Sequence, residues 1–155
     1  MTDAEAAATA FMTASRALLG MSLRSVAAAP VPLTVPQHRL LVLVSADGPR
    51  RIGALADDLG VDQSNASRLV ARLAEQGLVQ RVTDPTDRRA SVVEATTAGL
   101  RVLDAVSEHR LRELRVVVDA MPPKTWRPAI QVLRAFNAAA HETEAVATAT
   151  DGQDR

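Results

Sequence analysis

The sequence contains no cysteine. That excludes disulfides, zinc–thiolate sites and thiol-based redox sensing together. It has no tyrosine, and aromatic residues make up 2% of the chain (Phe11, Trp126 and Phe136). A core must therefore come from Ala, Val and Leu, which favours packed helices, and the 47% hydrophobic content is ample for one. No run approaches the ~18 uninterrupted apolar residues of a membrane span. The start of the chain carries Asp3 and Glu5 rather than a basic leader, so no secretory signal is expected and the cytoplasm is the default location. Enzyme motifs are missing too. There is no phosphate-cradling glycine loop and no cysteine nucleophile, and the seven glycines fall at helix ends and turns. Net charge is zero, with 18 basic and 18 acidic residues. A zero sum does not exclude a nucleic-acid partner, because local charge decides contact.

The local charge is uneven. Arg68, Arg72, Arg81, Arg88 and Arg89 face only Glu75, Asp84 and Asp87 between residues 63 and 89, with Arg50 and Arg51 just upstream. All basic residues except Lys124 are arginine, the better fork for phosphate and guanine. Within this region, residues 52–61 read as a short apolar-faced helix stopping at Gly60. Ala56 is small where a second helix would cross, and Val61 is expected to anchor the turn inward. Asp62 suits the N-cap of that second helix, since its carboxylate can accept from the free first-turn amides. Ala66, Leu69, Val70 and Leu73 follow at i, i+3, i+4, i+7 and form one buried face. Ser64, Asn65, Ser67, Arg68 and Arg72 lie opposite. Short polar groups at a helix start, then arginines one and two turns on, suit a helix placed in a DNA major groove.

The remaining elements follow from punctuation and periodicity. A helix spans about 3–28 and ends before Pro30 and Pro32. A second starts near Thr34 with Pro36 in its first turn and ends near Asp47-Gly48-Pro49. Gly77 closes the reading helix. Residues 78–82 read as a strand, Asp84-Pro85-Thr86-Asp87-Arg88-Arg89 as a loop, and 91–95 as the returning strand. Thr96 or Thr97 caps a long helix to about Ala120. A last helix runs from about Lys124 to the mid-140s. The fold class is thus mainly α with a small β-hairpin (α+β). A winged lobe over 34–95 is joined to dimerisation helices over 3–30 and 96–147, with a tail over 148–155 expected to be disordered. Terminal helices that are apolar on more than one face call for a partner. A twofold dimer would set two reading helices about 34 Å apart, one DNA turn.

The run Leu55-Ala56-Asp57-Asp58-Leu59-Gly60-Val61-Asp62-Gln63-Ser64-Asn65-Ala66-Ser67-Arg68-Leu69-Val70, the following Gly77-Leu78-Val79, the DPxDRR loop and Thr96-Thr97-Ala98-Gly99 together resemble the MarR (multiple antibiotic resistance regulator) family. The resemblance extends over nearly the whole chain in helix order. It implies a homodimeric winged helix-turn-helix transcription factor, usually a repressor, that binds double-stranded DNA and releases it when a small ligand binds. It also implies that Arg89 enters the minor groove, steadied by Asp87. A narrow minor groove concentrates negative potential and attracts arginine. Arg88 would pair within the protein or touch phosphate. Ser64, Asn65, Ser67, Arg68 and Arg72 would contact phosphates or base edges.

His38 lies where the family forms its ligand cleft, and Arg16, Arg39 and Trp126 could line such a pocket with it. The plainer reading is a satisfied surface or interface histidine. His109 lies near Glu108 and Glu113, and His141 near Glu142 and Glu144, yet neither shows tight metal-ligand spacing. No metal, no other cofactor and no membrane partner are expected. Two other readings stand beside DNA binding. A winged-helix module could bind protein through the same surface, although no aromatic hot spot accompanies the arginines. A helical enzyme or carrier would lack any recognisable acid, base or nucleophile pair.

Overall fold

A computed structural model describes residues 1–142. The expected tail at 148–155, and the last residues of the 96–147 segment, lie outside the described residues. Six α-helices and one hairpin follow in the order α1 (Asp3–Ala27), α2 (Val35–Ala46), α3 (Ile52–Leu59), α4 (Gln63–Glu75), β1 (Val79–Thr83), β2 (Ser91–Ala95), α5 (Thr97–Asp119) and α6 (Trp126–Ala139). A single 3-10 turn, Pro123–Thr125, leads into α6. The fold is mainly helical with one antiparallel hairpin, as its sequence suggests. Among the described residues no helix is long and apolar enough to cross a membrane.

Local chemistry sets the boundaries. Thr34 and Gln37 form a reciprocal capping box at α2, with Pro36 in the first turn where a missing N–H costs nothing. Asp62 caps α4 by accepting from the Asn65 amide at 2.8 Å. Thr96 caps α5 by accepting from the Gly99 amide at 3.1 Å. Gly60 ends α3 with φ +64°, a left-handed conformation that a side chain would resist. Two boundaries differ from expectation. β1 begins at Val79 and extends to Thr83, and α6 ends at Ala139 rather than in the mid-140s. His141, with φ +54°, turns the chain back past that end.

The core belongs to the middle of the chain. Leu40 and Leu41 of α2, Leu55 of α3, Val70 and Leu73 of α4, and Val93 of β2 are all but fully buried. Leu43, Val44, Leu78, Val79, Val102 and Leu103 complete the cluster. Each such side chain contributes roughly 1.5–3 kcal/mol through burial. β1 and β2 pair in register from Val79 opposite Ala95 to Thr83 opposite Ser91. Arg50 adds a one-residue bridge on the far side of β2 by exchanging two backbone bonds with Val93 at 2.9 and 2.8 Å.

One junction joins this core to α5. Thr96 donates its hydroxyl to the Gly77 carbonyl at 2.6 Å, and its amide bonds the Leu78 carbonyl at 3.0 Å. Gly99 lies so close that a Cβ there would collide with the Leu78 carbonyl oxygen and crowd Leu41. The first turn of α5 is thereby fixed to the end of the α4–β1 unit.

Candidate nucleic-acid interface

The two helices α3 and α4 form the expected helix-turn-helix. Ala56, Ala66, Val70 and Leu73 are buried, and Leu69 is partly so. Val61 departs from expectation. It is 37% exposed, because its amide bonds the Ala56 carbonyl and the turn carries its side chain outward. It lines a shallow groove between the start of α2 and α4, beside Pro36, Asn65, Arg68 and Arg72.

Ser64, Arg68 and Arg72 are exposed on α4, whereas Asn65 and Ser67 are half-buried. A hydrogen-bond chain organises the first of these. Asp62 accepts from the Ser64 hydroxyl at 2.6 Å and from the Asn65 amide nitrogen Nδ2 at 2.6 Å. Asn65 Oδ1 in turn accepts from the Arg68 guanidinium. The Ser64 hydroxyl, then the Asn65 backbone amide, hold the Asp62 carboxyl below its ordinary pKa. The helix start therefore presents an ordered row of donors and acceptors. Asp62 was expected as a cap alone; its second role, orienting Ser64 and Asn65, was not legible in advance.

The wing is ordered by its two aspartates. Asp84 is buried, and its Oδ1 accepts from the Thr86 amide at 2.8 Å and the Thr86 hydroxyl at 2.7 Å. Its Oδ2 accepts from Arg51 Nε at 2.8 Å and Nη2 at 2.7 Å. Thr86 first, then Arg51, hold this carboxyl far below the usual carboxylate range, so it is charged at any working pH. Asp87 Oδ1 accepts from the Arg89 backbone amide at 3.0 Å. The aspartate thus fixes the Arg89 main chain rather than its guanidinium. Arg88 and Arg89 are exposed, and no ion pair among the described residues engages either. Arg51 and Asp84 were missed as site residues. An Asp before Pro-Thr is a visible turn signal, but nothing local links it to an arginine 33 positions away.

The four residues suggested for a ligand pocket are not gathered at one place. A cleft of about 590 Å³ lies between α2, α5 and the turn after α6. Arg39 lines it and forms a two-pronged pair with Glu142 at 2.6 and 2.8 Å. His38, Arg16 and Trp126 do not line it. Trp126 donates its indole N–H to the Val118 carbonyl at 3.0 Å, bracing the α5–α6 corner. Arg16 is exposed on α1. His38 is 8% exposed, and burial, then the charges of Arg110 and Arg39, push it down to about 4. It is therefore neutral at pH 7. His109 reaches Glu113 at 3.3 Å, but among the described residues no three acidic or histidine side chains stand together as a metal would need.

Comparison with known proteins agrees with this geometry. A MarR family profile matches residues 31–90, the span from before α2 through the wing. A solved structure, RV1404 from Mycobacterium tuberculosis, is 35% identical, covers 94% of this chain and 99% of its own, and superposes with a TM-score of 0.83. The chain belongs to the MarR family. A MarR family protein from Bacillus stearothermophilus has the same fold at 22% identity, with a TM-score of 0.78 over 92% of this chain and 99% of that one. The transcriptional repressor NicR of Pseudomonas putida is 38% identical over 74 residues, 48% of this chain and 47% of NicR. The matches span about half the length of such curated relatives. MarR proteins are transcriptional regulators rather than enzymes, and α3, α4 and the hairpin are the winged helix-turn-helix of this one.

Proposed function

We propose that two copies of this MarR-family chain bind a palindromic operator in the cytoplasm, repress transcription from it, and release it when a small ligand binds. α4 would enter the major groove. Ser64, Asn65 and Ser67 would meet phosphates or base edges, and Arg68 and Arg72 base edges or backbone. Arg89 would enter the minor groove, with Arg88 on phosphate and Asp87 shaping the loop. The lobe over 34–95 would read DNA, and the helices of 3–30 and 96–147 would pair.

The observation that carries this reading is the ordered exposure of α4's first turns together with a braced wing whose two arginines have no acidic partner among the described residues. A wing held this firmly, ending in free cations, suits a polyanion. Pairing is supported by the apolar side chains left open on the long helices. Leu18, Leu19 and Leu23 of α1, Leu111 and Val116 of α5, and Ile130 and Leu133 of α6 are all exposed. Large apolar side chains left exposed in such number mark an interaction surface where they adjoin. For a ligand, the cleft offers Arg39 as a cationic wall; outside its lining, Arg110 donates to the Ser25 hydroxyl at 3.1 Å and stands near the neutral His38 ring.

Selection of bound duplexes from a random pool tests the proposal. A recovered site with two half-sites related by a dyad is expected. Its affinity should fall steeply with salt, by roughly 0.9 in log–log slope for every phosphate neutralised. Recovery of no sequence, together with salt-insensitive capture of a protein partner, would overturn it in favour of a protein-binding module.

A further inference from the structure

We infer that Arg51 is the positioning residue of the wing: it fixes the place of Arg89 relative to α4 by holding Asp84 and Asp87, without itself contacting DNA. This rests on the operator-binding reading above. Arg51 sits at the N-cap of α3, yet its side chain makes no cap bond. It turns instead to the wing and places Nε and Nη2 on the same oxygen of Asp84 at 2.8 and 2.7 Å. Nη2 also stands 3.7 Å from Asp87 Oδ2, whose other oxygen holds the Arg89 amide. An unbroken polar path therefore runs from the first residue of the helix-turn-helix to the backbone of the wing tip.

The path answers a mechanical need. Two five-residue strands make a ribbon that is marginal by itself. The backbone bridge of Arg50 ties β2 at Val93, near the middle of the strand and short of the tip. Beyond Thr83 the loop is held to the lobe by Arg51 through Asp84. Arg50 and Arg51 thus divide the work: one main chain secures the middle of the hairpin, and one side chain secures its end. Arg51 is about half exposed, so a direct phosphate contact is the rival role. Its fork, however, is already turned onto two carboxylates.

The two roles part in a binding experiment on the duplex recovered by selection, using wild type, R51Q, R51K, R89A and R51Q/R89A. R51Q is expected to weaken binding on the order of tenfold and to erase hydroxyl-radical protection in the flanking minor groove, while the major-groove footprint of α4 stays. R51K should lose as much as R51Q, because an ammonium keeps the charge without the two-acid fork. R51Q should cost nothing further in R89A. Near wild-type affinity of R51K, or an equal loss from R51Q in both backgrounds, would overturn the inference and make Arg51 a phosphate contact in its own right. Wild type recovering no duplex at all would be a different result, since it removes the operator-binding reading and this inference with it.

Discussion

Leu41, in α2, has no exposed surface, whereas Leu133, of the same size in α6, is 48% exposed. The contrast extends to their surroundings. α2 is flanked by α3, α4, β2 and α5, and its apolar residues meet others on most sides. α6 is strongly one-sided in its apolar residues yet buries none of them; its clearest partner across the fold is α1, through the stack of Phe136 on Phe11 at 4.5 Å. Both helices are rich in aliphatic side chains. What separates them is whether this chain supplies the opposing surface. The lobe is closed within one copy, whereas the arms leave apolar side chains exposed, which fits the pairing proposed above.

Substitutions can break that contrast from either side. The largest effect is expected at Leu41→Ala, which removes a fully buried side chain from the closed lobe and should lower stability by about 2–5 kcal/mol in urea unfolding. Leu133→Asp should leave the lobe folded by circular dichroism and shift subunit association by at least an order of magnitude in sedimentation. A Leu133→Asp protein that unfolds as readily as Leu41→Ala would show that the two regions are not separable. Thr96→Ala, at the boundary between them, loses the α5 cap and the bond to Gly77. About 1–2 kcal/mol of stability should go with it, read by thermal melting. His38→Gln should be the mildest, with no difference at pH 7. The native histidine resists protonation down to about 4, while the unfolded one accepts a proton near 6.5. Native stability is therefore complete above 6.5 and drains away as pH falls toward 4, and the variant should lose less over that window. A matching acid profile for both proteins would remove His38 from the account.

Much of the fold was legible because it is written in neighbouring residues. Thr34, Asp62 and Thr96 each announce a cap that acts within three positions, and Gly60 marks its own turn. The exposed candidates of α4 and the wing follow from the same short-range pattern. Contacts between distant segments carry no such mark. Arg51 with Asp84, Arg39 with Glu142 and Arg110 with Ser25 become neighbours only after the helices pack. Val61 misled for a related reason: an apolar residue after a turn glycine reads as an anchor, and only the direction of the turn decides otherwise. His38, Arg39, Arg16 and Trp126 come from three helices whose rotation no local pattern records, and of the four Arg39 alone lines the cleft within one copy.

The close seat of Gly99 against the Leu78 carbonyl makes α5 a lever. With 23 residues at 1.5 Å each, the helix is roughly 35 Å long, so a tilt of a few degrees at one end sweeps the other through about 2 Å. On the operator-binding proposal above, a grip on the far end would reach the end of α4 through this close seat, and the aim of the reading helix would be set from a place remote from any base pair.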